Sequence, residues 1–239
     1  MGYASAPMAP SISVVFPMWN EEAYIRRAVA AAKDILEGFA ADHEVIIVDD
    51  ASTDATATIA AELARADPRI RVLTNARNLK LGATLRRGFQ AASKDLVLYT
   101  DADLPFDLQE LPRAVRLLEY QQADLLSAYR FDRTLEGPLR SIYTFLYTQL
   151  VRLLFGLRIK DVNFAFKLFR RTLLDRFPLK SEGSFIDAEL LIRTRRAGAR
   201  IIQIGVDYFP RSRGQSTLAS PGVIFKILRE MLGLWPELR

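Results

Sequence analysis

The sequence predicts an α/β protein with a largely parallel, doubly wound sheet and amphipathic helices near its C-terminal end. Three observations lead there. Short β-branched runs alternate with amphipathic segments from Ser11 to Ala128, the pattern of parallel strands joined by crossover helices. Two of those runs, Val45-Ile46-Ile47-Val48 and Val97-Leu98-Tyr99-Thr100, lead straight into acidic residues, and open α/β sheets bind ligands at the carboxyl ends of their strands. Hydrophobic residues make up 50% of the 239, enough for a full core in one large domain.

In chain order, Ser11–Phe16 reads as a strand closed by Pro17. Residues 21–36 have apolar spacing of helical period, with glutamates in the first turn. Glu44–Val48 is the second strand, and Asp54 is placed to cap a helix that runs to Ala66. Ile70–Leu73 is a strand, Gly82–Ala92 a helix and Leu96–Thr100 a strand. Asp107–Gln121 carries Leu108, Leu111, Val115 and Leu118 on one side, and Leu125–Ala128 is the fifth strand. Two apolar stripes follow. Ile142, Phe145, Leu146, Leu150, Leu153, Leu154 and Leu157 form the first, with Tyr143, Thr144, Tyr147, Thr148 and Arg152 on the other face. Ile224, Ile227, Leu228, Met231, Leu232 and Trp235 form the second, opposite Lys226 and Arg229. Taken alone, both stripes read as helices that cover the sheet. The organisation expected is a flexible tail over 1–10, one domain over 11–219 and an amphipathic helix over 220–239.

Composition narrows the chemistry. There is no cysteine, so disulfides and thiolate metal sites are excluded, and a reducing compartment fits. His43 is the only histidine and is expected at the surface, which leaves little for zinc or Ser-His-Asp chemistry. The net charge of +5 suits an anionic partner, but no zinc-finger or RRM spacing accompanies it, so nucleic acid is not an expected partner. The first residues lack the charged and apolar regions of a signal peptide, and Ala6 breaks a myristoylation pattern begun by Gly2. No run approaches the ~20 apolar residues of a spanning helix.

Asp101 and Asp103, two residues apart on a loop, can both reach one hard divalent cation, Mg²⁺ or Mn²⁺, with diphosphate and water completing the shell. Asp49 and Asp50 after the second strand need donors to offset their repulsion, and a nucleoside supplies them. The first strand exits through Pro17-Met18-Trp19-Asn20-Glu21 rather than a glycine-rich fingerprint, and Gly82 to Gly88 lacks the Lys-Ser/Thr of a phosphate loop. The residues therefore point to a nucleotide held by metal and arginine.

Pro17-x-x-Asn20-Glu21, Val48-Asp49-Asp50-x-Ser52-x-Asp54, Asp101-x-Asp103 and Arg211-x-x-Gly214-x-Ser216 occur in one order. From about Ser11 to Thr217 the chain resembles the family 2 glycosyltransferases of GT-A fold. Among them it is most similar to the polyprenyl-phosphate (dolichol-phosphate) mannosyl- or glucosyltransferases. The resemblance implies Pro17, Trp19 and Glu21 around base and ribose, and Asp50, beside Asp49, at the nucleoside. It implies Asp101 and Asp103 as metal ligands, Asp103 the more direct, and Arg211 closing on the donor diphosphate. Arg130 and Arg140, with Thr144 one turn further, would hold the acceptor phosphate; Asp161 and Lys167 would lie beneath the sugar pocket, with Glu189 in the following helix. Ala165 stands where glycine is usual, Pro105 where the mannosyl enzymes often have glutamine and Thr217 where lysine often follows, which weakens a strict mannosyl assignment.

The implied activity is a metal-dependent, inverting transfer of a sugar from GDP-mannose or a UDP-hexose to polyprenyl phosphate. An acceptor that is already anionic needs no general base, which fits a chain without a suitable histidine. A lipid acceptor turns both stripes into interfacial helices, and the expected place is the cytoplasmic face of the membrane, on its surface or with a separate anchor protein. The alternatives are a saccharide or protein acceptor, a sugar-phosphate nucleotidyltransferase, and a catalytically silent binding module.

Overall fold

A computed structural model describes residues 10–132, 138–209 and 221–239, with only the backbone of 138–141, 221, 223 and 224. Seven strands form one sheet: β1 (Ser11–Met18), β2 (Asp42–Asp49), β3 (Ile70–Thr74), β4 (Leu96–Thr100), β5 (Leu125–Arg130), β6 (Phe166–Arg170) and β7 (Ile201–Val206), in the order β3-β2-β1-β4-β6-β5-β7. All neighbours are parallel except β6, which runs antiparallel to both β4 and β5. The helices are α1 (Ile25–Phe39), α2 (Thr56–Ala66), α3 (Lys80–Ala91), α4 (Glu110–Tyr120), α5 (Pro138–Phe155), α6 (Ile186–Arg196) and α7 (Pro221–Leu238).

Alternation along the strands divides the core in two. Ile12, Val14, Phe16, Val45, Ile47, Leu96 and Leu98 face α1, α2 and α4. Val15, Ile46, Val48, Val97 and Tyr99 face the layer of α3, α5, α6 and α7. The sheet is thus covered on both sides, which explains why its inner strands read as continuous apolar runs.

Several elements differ from the sequence expectation. Strand β1 continues through Pro17 to Met18, because its pairing with β4 has already ended at Val15 and only β2 flanks it there. Helix α1 starts at Ile25, four residues late, since Glu21–Tyr24 form a turn tied to the next loop. His43 is buried, not at the surface, and burial lowers its pKa. Strand β6 carries a fully buried Lys167 that masks its apolar pattern.

The α5 stripe does not simply turn inward. Ile142, Phe145, Leu146 and Leu153 are exposed, while Thr148 and Val151 are buried and Tyr147 packs inward. Helix α7 buries Ile227 and Met231 but leaves Phe225 and Leu232 outside. Among the described residues, no helix is long and apolar enough to cross a membrane.

The start of α3 is capped from both sides. Asp50 accepts from the amides of Leu79 (2.8 Å) and Lys80 (3.0 Å), while the Glu182 carbonyl accepts from those of Gly82 (2.8 Å) and Ala83 (3.1 Å). A Cβ on Gly82 would lie 2.8 Å from the Glu182 carbonyl carbon and the Gly183 oxygen, and closer still to the Ser181 oxygen. Backbone cannot yield as a flexible side chain can. Gly82→Ala is therefore expected to destabilise the protein by about 1–3 kcal/mol, read as a lower urea midpoint with an unchanged slope.

Candidate active site

The exits of β2, β1 and β4 lie side by side at the carboxyl edge of the sheet. Each exit holds a non-glycine residue in the left-handed region: Ala51 (φ 58°), Asn20 (φ 56°) and Leu104 (φ 48°). Such backbone costs on the order of 1–2 kcal/mol per residue and clusters at ligand sites. The first two exits are stitched together. The Asn20 amide donates to Ser52 Oγ (3.0 Å), Thr53 N–H to Asn20 Oδ1 (2.8 Å) and Glu21 N–H to Thr56 Oγ1 (2.8 Å). Glu22 accepts from Ala55 N–H (2.9 Å), and Asp54 accepts from Glu22 N–H (3.1 Å) and from Thr56 N–H (2.9 Å), the first amide of α2. Asn20, Ser52 and Asp54 therefore fasten loop to loop. Trp19 stands 50% exposed at the rim, with Pro17 and Glu21 half-buried beside it.

Asp49 is buried and accepts from Ser52 N–H (3.2 Å). Asp50, expected at a nucleoside, takes a different set of partners: besides the α3 amides, it accepts from Asn75 Nδ2 (2.7 Å). Its carboxylate caps α3 from within the chain.

Asp101 and Asp103 follow β4 directly. Both are half-buried, with Ala102 between them turned into the core. Among the described residues, no three acidic or imidazole side chains converge on a metal position. The pair offers hard oxygen donors only, a set that fits Mg²⁺ or Mn²⁺ shared with phosphate oxygens.

Beneath this edge lies a network of buried charge. Arg130, at the end of β5, forks onto Asp161, with Nε–Oδ2 at 2.7 Å and Nη2–Oδ1 at 3.1 Å. Residues expected at the acceptor and at the sugar are thus direct partners. Lys167, paired across the sheet with both Tyr99 and Ser127, donates to the Phe164 carbonyl (2.5 Å) and lies 3.5 Å from Asp187 Oδ1. Burial pushes the Asp187 carboxyl up to about 6, against the pull of Lys167 and with a further push from Asp161. Burial, then the negative charge of Asp187, Asp101 and Asp103, hold the Tyr99 phenol well above its usual range.

The sequence reading missed Asp187. It chose Glu189 of Phe185-Ile186-Asp187-Ala188-Glu189, but residues two apart on a helix point to different sides. Glu189 accepts from the amides of Lys180 (2.9 Å) and Ser181 (2.7 Å) and from Arg193 Nε (2.7 Å), so it anchors the loop before α6. Asp187 instead meets Lys167. Thr144 is half-buried on α5, the Arg140 side chain is not described, and Arg211 lies outside the described residues.

The raised Asp187 pKa has a stability signature. The unfolded chain loses this proton near pH 4 and the folded chain near pH 6, so stability falls as pH rises through that window and is level above it. Across that window the wild type is expected to lose on the order of 3 kcal/mol relative to its own acid value, whereas Asp187→Asn, with no proton to lose, is expected to stay level. Urea unfolding of both proteins between these pH values measures it.

The Glycosyl transferase family 2 profile matches residues 13–177. The chain belongs to this family. This family member is similar to glycosyltransferase AglD of Haloferax volcanii, with 33% identity over 87% of this chain and 34% of AglD. It is 27% identical to the dodecaprenyl-phosphate galacturonate synthase of Rhizobium johnstonii, over 93% of this chain and 66% of that protein. It thus spans only a third to two thirds of these two relatives. With the undecaprenyl-phosphate mannosyltransferase of Micrococcus luteus it shares 25% identity over 89% of each chain. Among solved structures it resembles glucosyl-3-phosphoglycerate synthase from Mycobacterium tuberculosis in complex with Mn²⁺, UDP and glucosyl-3-phosphoglycerate. That match has a TM-score of 0.71 and 26% identity, and covers 92% of this chain and 80% of the other. The fold is that of the GT-A glycosyltransferases.

Proposed function

We propose that this glycosyltransferase is a metal-dependent, inverting enzyme that moves a sugar from a nucleoside-diphosphate donor to polyprenyl phosphate at a membrane surface. One observation carries the reading: the acidic turn at the end of β4 and the exposed apolar faces of α5 and α7 belong to one domain. An apolar face of that kind on a helix with aromatic residues suits a lipid interface better than water. The names of the rhizobial and Micrococcus relatives supply the acceptor class, and the mycobacterial complex supplies the donor and metal class.

The nucleoside lies against Trp19, Pro17, Glu21 and Asp49, on loops that Asp50 and Asp54 keep in place. Asp101 and Asp103 would hold Mg²⁺ or Mn²⁺, which would supply positive charge against the negative charge developing on the departing diphosphate. Arg211 adds a donor to the same leaving group. Arg140, Thr144 and Arg130 receive the acceptor phosphate. Asp161 and Lys167 fix the floor of the sugar pocket, Asp161 by holding Arg130 and Lys167 by holding Asp187. The acceptor oxygen is already anionic, so a single displacement at the anomeric carbon needs no protein base and inverts it. Helices α5 and α7 lie in the cytoplasmic membrane interface, alone or beside an anchoring protein.

The test is transfer of radiolabelled sugar from a panel of UDP- and GDP-sugars with Mn²⁺. Label should pass into an organic-extractable lipid, and chelator should abolish the transfer. Label that remains only in water-soluble product would replace this reading with a saccharide or small phosphorylated acceptor.

A further inference from the structure

A cavity of about 510 Å³ opens between the second half of α5 and the end of β5. Its lining includes Arg130, Thr148, Arg152, Arg158 and Lys160 and no acidic residue. Arg130 is balanced by Asp161. Among the described residues, no hydrogen bond or ion pair engages the guanidinium groups of Arg152 and Arg158, and both side chains are exposed. Lys160 donates to Tyr129 Oη (2.9 Å) and lies over the Tyr129 ring at 4.1 Å. Thr148 is only 7% exposed, yet among the described residues its Oγ1 has no hydrogen-bond partner.

The loop that presents two of these cations is fixed in advance. Gly156, at φ 65°, turns the chain out of α5. The Gln203 carboxamide on β7 then grips both sides of buried Ile159: its Oε1 accepts from Lys160 N–H (2.8 Å) and its Nε2 donates to the Arg158 carbonyl (3.1 Å). Arg158 and Lys160 are thereby held on the cavity side without an ion pair that would neutralise Arg158.

Uncompensated guanidinium groups, an ammonium and an idle hydroxyl around one cavity are the donor set of a phosphate site. We propose that Arg152, Arg158 and Lys160 bind the phosphate of a second anionic membrane lipid in this cavity, beside the acceptor position, with Arg130, already committed to Asp161, at the boundary between the two. The lipid source follows from Phe145, which lines the cavity and also belongs to the exposed apolar face of α5, so headgroup and acyl chain would each meet a matching surface. That source rests on the membrane-facing role proposed for α5; the phosphate chemistry does not. The volume suits a headgroup.

The test uses the full chain and phosphatidylcholine vesicles with or without phosphatidylglycerol. The wild type should partition onto the anionic vesicles, and Arg152→Ala with Arg158→Ala should weaken this by roughly 30-fold. The same charge loss on the opposite layer, Arg27→Ala with Arg65→Ala, should weaken it by less than about 3-fold, because those exposed side chains lie on α1 and α2, across the sheet from this cavity. Equal loss in both pairs reduces the effect to net charge and overturns the site. Unchanged vesicle binding in the Arg152/Arg158 pair, with saturable binding of inorganic phosphate lost, overturns the lipid assignment in favour of free phosphate. In detergent, transfer to a short-chain polyprenyl phosphate should be the same for wild type and the Arg152/Arg158 pair. Its loss in the pair alone would merge the cavity with the transfer centre and overturn the proposal. A wild type that transfers nothing but shows the expected vesicle pattern sinks the acceptor reading and leaves this site supported.

Discussion

Replacing Asp103 with alanine is expected to lower sugar transfer by about 10³-fold or more while the protein stays folded. The turn that carries Asp103 is fixed by features other than its carboxylate. Ala102 and Leu104 on either side are buried, and Leu104 N–H donates to the Asp101 carbonyl (3.3 Å). Alanine keeps the backbone and the Cβ, so the loss falls on cation binding and not on the fold. Asp103→Asn separates charge from shape: it retains volume and hydrogen bonding, yet a neutral amide is a poor substitute for a carboxylate at a hard cation. Both variants should melt within a few degrees of the wild type and bind Mn²⁺ more weakly by paramagnetic titration. Full activity in Asp103→Ala would remove the metal pair from the mechanism. Asp101→Ala should follow the same direction, since neither oxygen set alone fills a cation's protein-side coordination.

Much of the fold could be read from the sequence because the parallel strands announce themselves. β1, β2 and β4 are apolar runs that end where polar loops begin, and each was located to within a few residues. β6 was not read, for a physical reason. Its centre is Lys167, whose charge can be buried only because β4 and β5 flank it and Asp187 and the Phe164 carbonyl await its ammonium. Asp187 and the two flanking strands are remote in sequence, so local pattern does not show how the charge is accommodated. The site divides in the same way. Asp101 and Asp103 were legible because spacing alone brings them together. The sequence shows Asp50 and Glu189 as acids after a strand and in a helix, but not which donors they meet. Asp50 turns out to face the amides of Leu79 and Lys80, and Glu189 those of Lys180 and Ser181. Asp187 passed unnoticed two residues from the acid that was chosen.

Breaking the pair between Arg130 and Asp161 should have the largest effect on stability. Both side chains are almost fully buried, at 5% and 0% exposure, and the guanidinium also lies 5.3 Å from the ring centroids of Phe164 and Tyr208. Asp161→Ala leaves that cation without its forked partner in an apolar setting, at a cost of about 3–5 kcal/mol. Arg130→Lys keeps a charge but loses the second parallel hydrogen bond and the planar stacking, so a smaller loss is expected. The informative protein is the double replacement, Arg130→Met with Asp161→Leu. Exchanging a buried ion pair for apolar residues of similar volume is often neutral, so this variant should recover most of the stability lost by Asp161→Ala. If Arg130 only held the fold, transfer would return with it. If Arg130 receives the acceptor phosphate, as proposed, the refolded double variant should remain deficient, with a raised KM for polyprenyl phosphate and a near-normal KM for the donor. Unfolding in urea beside steady-state kinetics on the same three proteins separates the two roles, because only the phosphate contact predicts stability without activity.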